Sequence, residues 1–212
     1  FLVIFYSKIL LIMHSDKYIQ ALVESQSFFE IHQENVLGVA MDVFKNRPKS
    51  LVDFLELSAN HGQKPYLIYQ KKVISFDNHL VLVKKAAHLL QNKYNVKAGD
   101  RVAIYASNSP EWIIFFWATV SIGAIACALN GWWKGSEAIK AIEDADPNII
   151  VADQKRFDRI LEQLKHPVLI FEDLDLTSYE HELDSFVRVD EDECACLLYT
   201  SGTTGTPKGV MT

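Results

Sequence analysis

The chain has 212 residues, 49% of them hydrophobic and 23% charged, as in an ordinary soluble globular protein of one large or two small domains. Its net charge of −6 comes with scattered lysines and arginines, which argues against a nucleic-acid partner, since such partners select a basic stripe. The three cysteines, Cys127, Cys194 and Cys196, indicate no disulfide framework and favour a reducing, cytoplasmic location. The seven histidines never fall at ligand spacing with one another or with cysteine, so no metal site is predicted.

The first thirteen residues, Phe1 to Met13, are almost wholly apolar and too short to span a bilayer. One interpretation is a membrane-surface anchor, which would give the protein a peripheral membrane contact. The other is that Met13 is the true start and that the preceding residues come from upstream sequence. We favour the second interpretation, and therefore predict a non-native leader at residues 1–13 and the protein proper at residues 14–212.

The elements that follow the leader begin with apolar positions at near-helical spacing, which predict an amphipathic helix from Asp16 to about His32. A second helix is predicted from Leu51 to the breaker around Asn60. Residues 66–69 and 73–76 are typical of a β-hairpin, and a third helix is predicted from about Asp77 to Tyr94.

From Gly99 onwards strands and helices alternate. The run Asn108-Ser109-Pro110-Glu111 is a strong helix start, with a capping residue, a proline at the first helical position and an acid near the positive end of the helix. The predicted strands are 101–105, 124–129, 148–152 and 167–171, and the predicted helices are 108–122, 136–144 and 154–164. Strands joined by helical crossovers predict an α/β fold, with a mostly parallel sheet covered by helices on both faces.

The segment from Glu172 to Glu193 is acidic and aperiodic, with ten acids and the single basic residue Arg188. The acids at 190–193 could bind Mg²⁺, but a solvated connector is the preferred interpretation.

The end of the chain carries the residues that a polyphosphate site needs, in the run from Tyr199 to Val210. Its glycines let backbone N–H groups approach an anion, its hydroxyls can donate to phosphate oxygens, and Lys208 supplies a compact positive charge. The apolar residues 195–199 before it predict a short buried strand from which the loop emerges. We call residues 200–208 the phosphate loop.

The spacing of this loop excludes two commoner motifs. The lysine is followed by Gly209, so the Walker pattern G-x-x-x-x-G-K-[ST] fails, and no glycine stands two residues before Gly202, so the dinucleotide pattern G-x-G-x-x-G fails. The string instead resembles YTSGTTGxPKG, the signature of the adenylate-forming enzymes, which include acyl-CoA synthetases, firefly-type luciferases and the adenylation domains of peptide synthetases. The alternative, a flexible Gly/Ser/Thr linker, gives no reason for Pro207-Lys208-Gly209 to keep this register after a strand.

Other segments resemble the acyl-CoA synthetase branch, including the long-chain fatty-acid–CoA ligases, in order and spacing. They are Gly99-Asp100-Arg101-Val102-Ala103-Ile104, Asn108-Ser109-Pro110-Glu111-Trp112, Leu129-Asn130-Gly131-Trp132-Trp133 and Ile142-Glu143-Asp144-Ala145-Asp146-Pro147. The resemblance covers about residues 50–212. The tryptophan pair is interpreted as loop packing rather than as a ligand platform. Residues 14–212 are thus expected to be an incomplete N-terminal AMP-binding domain that ends just after the phosphate loop.

The resemblance implies ATP-dependent activation of a carboxylic acid, expected to be a fatty acid, to an acyl-adenylate, followed by thioester formation with coenzyme A. Mg²⁺ is implied as bridging counter-charge. Lys208 is implied as the catalytic residue that stabilises the departing pyrophosphate. The implied phosphate-binding residues are Thr200, Ser201, Gly202, Thr203, Thr204 and Gly205, together with Lys208.

Two alternatives stay open: an amino-acid-activating adenylation domain of a peptide synthetase, and a non-catalytic nucleotide-binding remnant. In the leading interpretation the partner is the C-terminal half of the same protein. The 212 residues alone are then expected to be inactive and to expose apolar sheet surface where that half packs.

Overall fold

The structure of the protein is a computed structural model that describes residues 19–24, 27–200 and 207–212. The chain divides into two compact units between Lys49 and Ser50. The predicted leader at residues 1–13 lies outside the described residues, so its boundary stays a prediction. Among the residues that are described, no helix combines the length and the apolar character needed to cross a membrane.

The described part of the first unit is dominated by an antiparallel hairpin of β1 (Ile31–Val36) and β2 (Val39–Phe44). Its two-residue turn, Leu37-Gly38, has φ values of 48° and 86°, as hairpin turns with the right-handed strand twist require. Residues 19–23 are helical, but the predicted helix is wrong beyond them: residues 24 and 27–30 are not helical, and residues 31 and 32 lie in β1. The alternation of half-buried and exposed residues along β1 shows that a period of two prevails here.

The second unit contains the remaining elements. Its helices are α1 (Leu51–Ser58), α2 (Phe76–Tyr94), α3 (Pro110–Ser121), α4 (Gly135–Ala145) and α5 (Gln154–Phe157). Its strands are β3 (Pro65–Tyr69), β4 (Lys72–Ser75), β5 (Arg101–Tyr105), β6 (Ile125–Ala128), β7 (Ile149–Ala152), β8 (Val168–Ile170), β9 (Cys196–Thr200) and β10 (Lys208–Met211). The strands β3 and β4 form the predicted antiparallel hairpin.

The main sheet has the order β10-β9-β6-β5-β7-β8. All neighbours are parallel except β10, which pairs antiparallel with β9 at the edge. Two hydrophobic clusters cover the two faces: α2 and α3 pack against Val102 and Ile104 of β5, and α4 packs against Ala103 and Tyr105 of the same strand. The predicted fold, an α/β domain with a mostly parallel sheet and helices on both faces, is confirmed.

Local signals explain why α3 begins where predicted. Ser109 accepts a hydrogen bond from the backbone N–H of Trp112 at 3.3 Å, and Pro110 occupies the first helical position. At the other end, Gly123 has a φ of 73°, which ends the helix and turns the chain into β6. The strand–helix–strand unit from β5 to β6 is therefore specified by its own sequence.

One prediction about the later elements is wrong. The helix predicted over 154–164 ends at Phe157, because the chain then turns so that Ile160 is buried and the guanidinium of Arg159 reaches backbone carbonyls of the β6–α4 loop. The acidic connector is irregular and its ten acids are exposed, as predicted for a solvated segment. Its apolar residues Leu174, Leu183 and Phe186 pack on the cluster beneath α2 and α3.

Candidate functional site

The edge of the sheet where parallel strands end is the natural place for a ligand. The connection after β5 passes to α3 on one face of the sheet, whereas the connection after the adjacent β6 passes to α4 on the other face. Loops that leave neighbouring strands in opposite directions open a crevice at the carboxyl ends of those strands. Because β9 runs parallel to β6, the phosphate loop emerges at this same edge.

The two ends of the phosphate loop face each other. Thr200 is the last residue of β9, Lys208 is the first residue of β10, and the strand register pairs them directly. Directly opposed residues project to the same face of the sheet, and both of these side chains are exposed. Five predicted phosphate-binding residues lie outside the described residues: Ser201, Gly202, Thr203, Thr204 and Gly205.

The chemistry of the two loop ends fits a polyphosphate. Thr200 offers a hydroxyl donor and Lys208 offers an ammonium group with three donors. Within the described part of the chain, no ion pair engages Lys208. The pairing of β9 with β10, which places these two residues together, was not predicted from the sequence.

Tyr199 projects from the β9–β10 hairpin on the face opposite Thr200 and Lys208, and it contacts α4 there. Its hydroxyl lies 2.9 Å from a carboxylate oxygen of Asp144 and 3.1 Å from the carbonyl oxygen of Ala141, both on α4. Burial raises the pKa of the Tyr199 phenol, and the hydrogen bond to Asp144 raises it further. The hydroxyl therefore keeps its proton and acts as a donor to α4.

The tryptophan pair divides into one packed ring and one exposed ring. The Trp133 ring lies edge-on to the Tyr199 ring, with centroids 5.9 Å apart, whereas the Trp132 side chain is 87% exposed. The interpretation of loop packing fits the contact of Trp133. Trp132 instead projects from the β6–α4 loop at the carboxyl edge of the sheet.

A polar network that the sequence reasoning missed joins the three loops after β5, β6 and β7. The carboxylate of Asp153 accepts hydrogen bonds from the backbone N–H of Ser107 at 2.8 Å and from its hydroxyl at 3.1 Å. Arg156 pairs with the same carboxylate at 3.2 Å and donates to the carbonyl oxygen of Gly131 at 3.0 Å. The only sequence signal is a polar residue, Asp153, directly after a buried strand.

The network is a structural device rather than an anion site. The side chains of Arg156 and Asp153 are about nine-tenths buried, and the guanidinium is already engaged by a carboxylate and a carbonyl group. Gly131 permits the close approach of these loops, since a Cβ at that position would lie 2.5 Å from the carbonyl oxygen of Ala106. The network therefore fixes the edge of the sheet next to the phosphate loop.

Cysteine and acidic side chains add no second chemical centre in the described part of the chain. Burial raises the pKa of the Cys127 thiol to about 12, so this thiol is not a nucleophile near neutral pH. The described residues contain no group of three or more His, Cys, Asp or Glu side chains placed to hold a metal ion, and the acids at 190–193 are exposed.

Comparison with known proteins identifies the class. A family model described as AMP-binding enzyme matches residues 54–212, three quarters of the chain and the whole site described above. The chain therefore belongs to the AMP-binding, adenylate-forming enzyme family.

Two of the similar curated proteins are CoA ligases. The chain is 31% identical to a 2-succinylbenzoate–CoA ligase of Bacillus velezensis over 147 residues, which cover 68% of this chain and 29% of the relative. It is 32% identical to a long-chain-fatty-acid–CoA ligase of Homo sapiens over 163 residues, which cover 65% of this chain and 22% of the relative. The chain thus spans less than a third of the length of either relative.

Solved structures show the same fold. The O-succinylbenzoate coenzyme A synthetase of Bacillus subtilis, in complex with AMP, matches with a TM-score of 0.63 and 26% identity, over 74% of this chain and 41% of that one. The N-terminal subdomain of Klebsiella oxytoca NpsA, in complex with 3-hydroxybenzoyl-AMSN, matches with a TM-score of 0.67 over 77% and 41%, at 24% identity. The second likeness supports the fold alone.

Proposed function

We propose that this chain is the phosphate-binding part of an ATP-dependent acid–thiol ligase. In the first half-reaction a substrate carboxylate oxygen attacks the α-phosphorus of ATP, the α–β phosphoanhydride bond breaks, and pyrophosphate leaves. In the second, the thiol of coenzyme A attacks the acyl carbonyl and displaces AMP. The observation that carries the proposal is the pairing of Thr200 with Lys208 at the mouth of the phosphate loop, inside the region that matches the family.

Lys208 is assigned to stabilise the negative charge of the departing pyrophosphate. Nucleotidyl transfer needs positioned donors and neutralised charge more than covalent help, so an exposed ammonium beside the loop suits stabilisation of pyrophosphate. The hydroxyls and backbone N–H groups of residues 200–205 are assigned to the β- and γ-phosphates. Mg²⁺ bound with the nucleotide would supply further counter-charge, and the described residues contain no group of three or more His, Cys, Asp or Glu side chains placed to hold it.

The substrate class we propose is a fatty acid, in line with the human long-chain-fatty-acid–CoA ligase among the relatives. An aromatic carboxylic acid is the closest competitor, since 2-succinylbenzoate ligases are similar to the same degree. Activation of an amino acid by a peptide-synthetase domain is a third alternative, and a non-catalytic nucleotide-binding protein is a fourth.

The remaining partner is the rest of the same protein. Leu198 of β9 and Val210 of β10 are directly opposed and expose 45% and 44% of their surface on one face of the sheet, which supports a docking surface for a further part of the protein. Because the chain spans 22% to 34% of the relatives' lengths, we expect residues 1–212 alone to bind polyphosphate without forming adenylate. Cytoplasmic location and the peripheral membrane contact both remain proposals.

The test is ATP–pyrophosphate exchange by the whole protein, driven in parallel by a long-chain fatty acid, 2-succinylbenzoate and an amino-acid mixture. Exchange with the fatty acid supports the proposal, exchange with either other acid replaces the substrate class, and no exchange with any acid refutes adenylation by this protein. Lys208→Ala should slow exchange by about 10²–10³, the usual effect of one preorganised donor. An unchanged maximal rate with weaker ATP binding would contradict the catalytic role, and Lys155→Ala on exposed α5 is the matched loss of charge.

A further inference from the structure

The β9–β10 hairpin joins the rest of the domain through the pairing of β9 with β6 and, on one face, through the side chain of Tyr199. β10 has four residues, all of them exposed, and its described backbone pairing is with β9 alone. Tyr199, the residue before Thr200, is half-buried and points to α4, where its hydroxyl meets Asp144 at 2.9 Å and the Ala141 carbonyl at 3.1 Å.

Gly209, the residue after Lys208, packs its backbone against the Tyr199 ring. It lies directly opposite Tyr199 in the strand register, and a Cβ built at Gly209 would approach the ring carbon Cζ of Tyr199 to 3.3 Å. The bare backbone of β10 therefore lies close over the ring. Thr200 follows Tyr199 and Lys208 precedes Gly209 in the chain, so the position of the Tyr199–Gly209 pair determines the position of both loop ends.

Trp133 limits the movement of the ring from a third direction. Its edge-on contact with Tyr199 comes from the β6–α4 loop, and the carbonyl of Trp133 is itself held by the hydroxyl of Tyr105 at 2.8 Å and the guanidinium of Arg159 at 2.9 Å. The Tyr199 ring is thus set between a fixed loop, a helix and the β10 backbone.

We propose that the Tyr199 hydroxyl and the Asp144 carboxylate form a positioning pair that sets the separation and orientation of Thr200 and Lys208, and thereby the affinity of these two residues for polyphosphate. The proposal rests on the function proposed for the loop. It makes Tyr199 a positioning residue, since its ring lies on the sheet face opposite the two loop ends.

The shared hydrogen bond gives the pair a distinctive signature. A phenol has one proton, which the Asp144 carboxylate and the Ala141 carbonyl compete to accept, and the charged acceptor makes the stronger bond. Tyr199→Phe and Asp144→Ala therefore remove the same interaction. Their effects on affinity should not add, because residues in one hydrogen bond are energetically coupled. Asp144→Asn keeps an acceptor oxygen at this position and should retain most of the affinity.

The experiment measures binding of inorganic pyrophosphate to the 212-residue chain by titration calorimetry. Tyr199→Phe should weaken binding by about 3- to 10-fold, the range expected for one net hydrogen bond. Asp144→Ala should give a similar loss, and the double variant should lose no more than either single variant. Tyr179→Phe is the matched control, because it removes a tyrosine hydroxyl that lies 2.9 Å from Nδ1 of His88, on α2, and it should leave pyrophosphate affinity unchanged.

Amide hydrogen exchange of residues 208–211 gives a readout that does not need the ligand. Tyr199→Phe should speed exchange in β10 relative to β5, whereas Tyr179→Phe should not. Wild-type affinity in Tyr199→Phe, or additive losses in the double variant, overturns the positioning pair alone. Failure of the wild-type chain to bind pyrophosphate overturns both the phosphate site and the inference built on it.

Discussion

His79 makes the stability of the second unit depend on pH. Its side chain is 1% exposed in the first turn of α2, its ring lies 4.6 Å from the Tyr66 ring, and within the described residues neither ring nitrogen has a hydrogen-bond partner. Burial lowers the pKa of His79 from 6.5 to about 4, because a charged imidazolium there would lose its hydration without compensation.

The sign follows from which state binds the proton first. The unfolded chain takes up a proton on His79 as pH falls through 6.5, whereas the folded chain stays neutral until about pH 4. The neutral His79 therefore costs no unfolding free energy above pH 6.5. The free energy of unfolding falls as the pH is lowered from 6.5 to 4. Linkage gives a loss of about 2 kcal/mol at pH 5 relative to pH 7.5, and a limit of about 3.4 kcal/mol below pH 4.

Urea unfolding at pH 7.5 and pH 5 measures this loss. We expect His79→Leu to reduce the difference in unfolding free energy between the two pH values by about 2 kcal/mol relative to wild type. Comparing each protein with itself removes any constant effect of the substitution on packing. His61→Gln, which removes an exposed imidazole, serves as the control and should keep the wild-type difference. The same pH difference in wild type and His79→Leu would refute the reasoning.

Three substitutions test the packing that supports the site, each by the free energy of unfolding in urea. Gly135→Ala should lose about 2–3 kcal/mol, because the new Cβ would lie 2.1 Å from the carbonyl oxygen of Arg159; a neutral result would mean that α4 begins elsewhere. Ser109→Ala should lose about 1 kcal/mol with the cap of α3, and no loss would show that the cap is replaced. Arg156→Ala should lose about 3 kcal/mol by removing the cationic partner of the buried Asp153 carboxylate, and a loss below 1 kcal/mol would argue that water or the remaining hydrogen bonds from Ser107 stabilise that carboxylate.

The parts of the fold that could be predicted carry their signals locally. α3 begins with Ser109 and Pro110, and the alternation of strands and helices from residue 99 gives the parallel sheet directly. The β1–β2 hairpin was missed because Leu37 takes a positive φ at a position where asparagine or glycine is the usual signal. Phe28 and Phe29, read at helical spacing, hid the change of period that begins at Ile31.

The candidate site likewise has parts that could be predicted from the sequence and parts that could not. The phosphate loop is continuous in sequence, so its residue types and spacing were visible, although residues 201–206 lie outside the described residues. β10 was missed because four residues containing a glycine have weak strand propensity and become a strand only by pairing with β9. The bond of Tyr199 to Asp144 joins residues far apart in sequence, and no local pattern predicts it.

The strand order also fixes how the sheet is completed as the chain is synthesised. β5 to β8 can pair as soon as each has emerged from the ribosome, but β6 keeps one bare edge until residues 196–200 appear. An unpaired parallel edge is a template for pairing with other nascent chains.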